Sequence, residues 1–206
     1  MFTVASEQTD PQSVPITLNV SGESNSLSLP YIDINTSENG IVDLPDEVNP
    51  LFSAVAERYT HVLAPNDEVI PIIAQGNITD GQFLHARKIL EEYLRDVPGA
   101  QWGNNKDPVA NALALSNAIL LLLDDESEYD NPNLDALFDA GAKGQDLLAT
   151  EIFPEGSNVY MNSELRDASY EEILHFVHGY GIQNALPSMQ SAIIQSMNNA
   201  ISNNNY

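Results

Sequence analysis

From Arg58 onward, the apolar and polar positions fall into short periods that point to particular elements. Tyr59-Thr60-His61-Val62-Leu63 and Val69-Ile70-Pro71-Ile72-Ile73 are β-prone runs on either side of Pro65-Asn66-Asp67, a turn composition, and together they predict a β-hairpin. Proline has no amide hydrogen to give a central ladder, so Pro71 assigns the second run to a sheet edge. Thr79 or Asp80 can cap a helix running to about Val97, where Pro98-Gly99 stops it, with Phe83, Ile89, Leu90, Tyr93, Leu94 and Val97 as a core face. Asp107-Pro108 starts a further helix, with aspartate as N-cap and proline at the first helical position, reaching about Asn117. Ile119 to Leu123 is a buried strand by composition, and Leu147 to Phe153 and Asn158 to Met161 read as short strands. After Pro187, Met189 to Ile201 forms a last helix with Ile193, Ile194, Met197 and Ile201 on its apolar face.

Helices and strands mix without a regular βαβ alternation, which predicts an α+β domain: a small, mostly antiparallel sheet packed with several helices, one of them near residues 169 to 180. Residues 1 to 48 differ in composition. They are rich in Ser, Asn, Thr, Asp and Glu, contain no Lys or Arg, and hold only short β-prone pieces such as Ile16-Thr17-Leu18-Asn19-Val20 and Tyr31-Ile32-Asp33-Ile34. They read as an acidic linker or small β appendage to a domain spanning 49 to 206.

The chain of 206 residues is long enough for one domain with a sizeable core. Thirty acidic against seven basic residues give a formal charge of -23, with the acids spread along the chain. Such a surface repels nucleic acid and anionic membranes, and it can attract cations or basic peptides. It suits a saline medium, where salt screens the self-repulsion. Cysteine is absent, which removes disulfides, a thiol nucleophile and cysteine zinc ligation. No run approaches the roughly twenty apolar residues of a membrane span, the longest being Ala118 to Leu123. Met1 to Ser6 lacks the basic and apolar regions of a signal peptide, so an extracellular or periplasmic setting implies a leader absent from this chain.

Chemistry concentrates in Tyr170-Glu171-Glu172-Ile173-Leu174-His175-Phe176-Val177-His178, which holds half of the four histidines. On a helix, Glu171, His175 and His178 at i, i+4 and i+7 fall within an arc of about 60°, opposite Ile173, Phe176, Val177 and Tyr180. Ser169 with Glu172 three residues on has the capping-box spacing, and Gly179 and Gly181 supply stops. Zinc favours imidazole nitrogen and carboxylate oxygen, and ligands one turn apart can reach one ion. A plain solvated face would carry the same residues without any ion. His61 and His85 read as ordinary strand and helix histidines. The acidic run Asp124 to Asp130 lacks the glycine and ligand order of an EF-hand and reads as a solvated loop.

Read as Glu171-Glu172-x-x-His175, the segment resembles the zincin metallopeptidase helix motif H-E-x-x-H, with glutamate replacing the first histidine. The wording EEILHFVHGYGI and the elements upstream, over roughly residues 50 to 200, also resemble a set of uncharacterised acidic secreted proteins of marine microbes. The helix alone is distantly similar to the catalytic lobe of the anthrax lethal factor type of peptidase. The resemblance implies zinc held by Glu171 and His175, with Glu172 as general base on the metal-bound water; His178 has no counterpart in the motif and is the candidate to replace the lost histidine as a further ligand. In the resembled peptidases a further acidic ligand comes from a downstream helix, whereas Asn184 to Tyr206 contains no Asp or Glu. Either the chain is a C-terminally truncated piece, or Glu171, His175 and His178 are the whole protein contribution, or the fold stands without the chemistry.

No G-x-S-x-G, Walker or Rossmann glycine pattern is present. The function implied is a secreted zinc-dependent hydrolase acting on a peptide or protein substrate. The alternatives are a catalytically inert metal-binding domain of the same fold and a purely structural extracellular domain.

Overall fold

The computed structural model describes residues 27–161 and 165–203. Its framework begins with the hairpin: β2 (Arg58–Leu63) and β3 (Val69–Ala74) pair antiparallel, Leu63 opposite Val69, around a turn in which Asp67 takes a left-handed φ of 63°. A two-residue strand, β1 (Val42–Asp43), joins the outer side of β2, while β4 (Ala118–Leu123) and β5 (Lys143–Leu148) add in parallel beyond β3. The five-stranded sheet has the order β1-β2-β3-β4-β5 and is mixed: two pairings are antiparallel and two parallel. The protein is thus α+β, but its sheet is not mostly antiparallel.

Pro71 sits inside the sheet, contrary to the edge expected for it. Ala64 donates to the Glu68 carbonyl, and alternation along the ladder makes Pro71 and its partner His61 a non-hydrogen-bonded pair. Its missing amide hydrogen would face β4, whose pairing with β3 starts one residue later, at Ile72. The antiparallel ladder with β2 therefore loses nothing, and the parallel ladder with β4 begins just past the proline.

Between β3 and β4 run α2 (Asp80–Leu94) and α3 (Asp107–Leu115). Thr79 closes a capping box with Gln82, and α2 stops at Leu94, leaving Val97 half exposed in the following turn. For α3 the cap position falls to Lys106, with Asp107 already helical. Between β4 and β5 lies α4 (Pro132–Asp139), which the sequence reading passed over. Ile70, Ile72, Leu120, Leu122 and Leu147 face α2, α3 and α5 (Ser169–Val177), whereas Ile73, Ile119, Leu121 and Leu123 face Leu134 and Leu137 of α4 and Phe52 of α1 (Pro50–Ser53). β4 is buried on both faces, as its uninterrupted Ala-Ile-Leu-Leu-Leu-Leu run requires. The two crossovers advance in the same direction along the sheet but pass over opposite faces. They therefore have opposite hands, and one departs from the usual right-handed rule.

The segment 27–48 packs onto this core. Ile32, Ile41 and Val48 are buried, and Thr60 and Arg87 both bond to the Gly40 carbonyl. Tyr31–Ile34 forms no strand, and Ile16–Val20 falls outside the described residues. Two other expected strands also shift. Residues 147–153 hold only the end of β5 and a 3-10 turn, and Asn158–Met161 is a turn.

After α5 the chain does not stop at its glycines. It continues through a π-helical turn (His178–Ile182) into α6 (Gln183–Ala185) and α7 (Pro187–Ser202). Gly181 is there for a close approach: a Cβ on it would lie 3.0 Å from Val109 Cγ1 and 3.1 Å from the Val109 carbonyl oxygen of α3. The expected apolar face of α7 exists, but Ile193, Ile194, Met197 and Ile201 stand exposed on it. Among the described residues no helix is long and apolar enough to cross a membrane.

Candidate functional site

α5 lies across the inner face of the edge strand β5 with Ile173, Phe176 and Val177 buried beneath it. The apolar side of the helix is thus as the periodicity has it. Tyr180 completes that side, its ring 5.7 Å from Phe176 and its hydroxyl donating to the Gly144 carbonyl of β5 at 3.0 Å.

The start of the helix differs from the expected capping box. Ser169 is already helical, and Asp167 Oδ1 accepts from its amide at 3.0 Å. Asp167 Oδ2 meets His85 Nε2 of α2 at 2.7 Å, both side chains largely buried, and the Tyr93 hydroxyl donates to the Tyr170 carbonyl. These contacts fix the entry of α5 against α2. They give His85 a specific partner that no spacing along the chain announces.

Glu172 is thereby free for another role. Its Oε2 accepts from Gln145 Nε2 of β5 at 2.9 Å and stands 3.2 Å from His175 Nδ1. Glu172 is partly buried, whereas His175 is exposed. A carboxylate at Nδ1 favours the tautomer that carries hydrogen there and leaves Nε2 as a lone-pair donor toward solvent.

The other two stripe residues look elsewhere. Glu171 is ion-paired with Arg166, in the extended segment before the helix, and His178 Nε2 meets Gln190 Oε1 of α7 at 2.7 Å. Among the described residues no group of three or more His, Cys, Asp or Glu stands together as a metal-holding cluster. Of the four residues singled out in sequence, the structure brings Glu172 and His175 into contact and gives Glu171 and His178 separate partners.

A second polar region was missed in sequence. The chain leaves β3 for one face of the sheet and β4 for the other, so their carboxyl ends diverge and open a crevice. Glu57, Gln75, Gly76, Asn77 and Asp124 line it. Asn77 Nδ2 donates to Asp124 Oδ2 at 2.7 Å, the Asp124 amide donates to Gln75 Oε1 at 2.7 Å, and Asp124 Oδ1 is buried without a partner. Only the faces over which the two connections pass, a tertiary property, could have revealed it.

His61 is also buried, in β2, edge-on to Tyr59. Burial, and then the Arg87 guanidinium, hold its imidazole below the ordinary histidine range against the opposing pull of Asp33. It is a neutral core histidine. The chain matches none of the family models, curated proteins or solved structures with which it was compared, so the chemistry of α5 has to be argued from its own residues.

Proposed function

We propose that the protein is a hydrolase of peptide bonds whose centre is the Glu172–His175 pair. The observation that carries this reading is the posture of the pair: Glu172, steadied by Gln145, faces His175 Nδ1 and leaves Nε2 open to solvent. In that posture Nε2 takes a proton from the water that attacks the scissile carbonyl, the Glu172 carboxylate offsets the charge on the resulting imidazolium, and the imidazolium returns the proton to the amine that leaves as the C–N bond breaks. Peptide as the substrate class rests on the resemblance of Glu171-Glu172-x-x-His175 to the zincin helix, and an acidic surface favours basic peptides. An extracellular or periplasmic setting belongs to the same proposal.

Zinc on Glu171, His175 and His178 does not fit the side chains as they stand, because Arg166 holds the first and Gln190 the last. The same two contacts, which give Glu171 and His178 structural partners, favour the second reading, a structural domain of this fold without catalysis.

Hydrolysis of a quenched fluorescent peptide library separates the two. Under the first reading, His175→Ala and Glu172→Gln each lower kcat/KM by roughly 10²–10⁴-fold with circular dichroism unchanged. An inactive parent protein, or activity that survives His175→Ala, overturns it. Metal analysis after zinc-replete expression tests the ligand set separately: stoichiometric zinc lost in both Glu171→Gln and His178→Ala would mean that both side chains leave their present partners.

A further inference from the structure

On the other flank of α5 a cavity of about 350 Å³ opens between α5, α3, the start of α7 and the turn after α2. Its size falls within the roughly 300–1,000 Å³ of small-molecule sites. Trp102, Val109, Leu174, Leu186 and Met189 make its walls predominantly apolar. One cation interrupts them. Lys106 is half-buried and gives one hydrogen to the Tyr93 carbonyl at 2.8 Å, which leaves two of its three ammonium donors over. Among the described residues no carboxylate pairs with it. The nearby Asp96 carboxylate accepts the backbone amide of Lys106 instead, at 2.7 Å.

In a chain with thirty acidic side chains, a half-buried lysine that lines an otherwise apolar cavity and pairs with no carboxylate among the described residues is a selective feature. We propose that this cavity binds a monocarboxylate with an apolar tail, its head on Lys106 and its tail against Trp102 and Met189. A neutral apolar molecule would fill the walls but leave the ammonium unmatched, and a cation would be repelled by it. The long-range field of the protein works against any anion, so the local charge-assisted bond must supply the selection. This site stands independently of the chemistry assigned to Glu172 and His175.

Trp102 is the chain's single tryptophan, so its emission reports the cavity directly. The parent protein is titrated with decanoate and, separately, with decanol, each below its aggregation limit, at about 0.5 M NaCl, where the protein's field is screened to a few Å. Trp102 emission and calorimetry are both recorded. Saturable binding of one decanoate per chain is expected, at least about ten-fold tighter than decanol, as a hydrogen bond to a charged group warrants. Lys106→Met should remove that preference while leaving decanol affinity unchanged, and Lys106→Arg should restore most of it. Equal affinity for decanoate and decanol in the parent overturns the proposal, as does an undiminished preference in Lys106→Met. So does the absence of saturable decanoate binding by both methods.

Discussion

His61, by being buried, makes folding depend on pH. Its folded-state pKa lies below the ordinary value near 6.5, so as pH falls the unfolded chain takes up the proton first. The stability that goes with neutral His61 is full above about pH 6.5 and is lost as pH drops through that value toward the lower folded-state one. Urea midpoints measured from pH 7 to pH 5 should therefore fall in the parent and fall less steeply in His61→Gln; identical slopes would remove His61 from the account. Single residues also show where reading the sequence stops. The rotation of a helix correctly places Ile173, Phe176 and Val177 inward and Glu171 and His175 outward. It says nothing of Arg166, in the segment just before the helix, or Gln190 of α7, the partners that turn Glu171 and His178 to separate contacts.

Among the elements, the hairpin and α2 are legible because each carries both a period and a boundary signal, the turn around Asp67 and the Thr79–Gln82 box. The signals for α4 were equally local: Asn131 caps, Pro132 follows at the first turn, and Leu134, Leu137 and Phe138 recur at helical spacing. The acidic run before it hid them. β5 was misplaced for a different reason. Its first four residues, Lys-Gly-Gln-Asp, are polar because Gln145 meets α5 and Asp146 accepts from Tyr129, so neither side shows an apolar alternation. The meeting of α3 with the π-helical turn at Gly181 leaves no room for a side chain. Gly181→Ala should destabilise by about 1–3 kcal/mol through overpacking on Val109, whereas Gly179→Ala, with nothing within 4 Å of its added carbon, should not. Equal melting temperatures for the two variants would show that α3 yields at no cost.

For the whole molecule the dominant quantity is the net charge of -23. Self-repulsion at this level destabilises the compact state and is screened as the Debye length shrinks from roughly 30 Å at 0.01 M to 3 Å at 1 M salt. The melting temperature should rise between these NaCl concentrations by roughly 5 °C, on the scale of one to two kcal/mol for a domain of this size. A flat or falling curve would mean that the carboxylates are spaced widely enough not to oppose folding. The same charge has a second use that arises from β4. The strand anchoring both layers is, in a nascent or unfolded chain, six consecutive apolar residues with no proline, the composition that assembles into intermolecular sheets. Directly after it stand Asp124, Asp125, Glu126, Glu128 and Asp130. Five carboxylates within one short stretch cannot stack in register on copies of themselves, so the stretch, expected to be a solvated loop but in the native fold a 3-10 turn over Glu126–Asp130 with Asp124 set in the crevice, also guards an aggregation-prone strand before that fold exists.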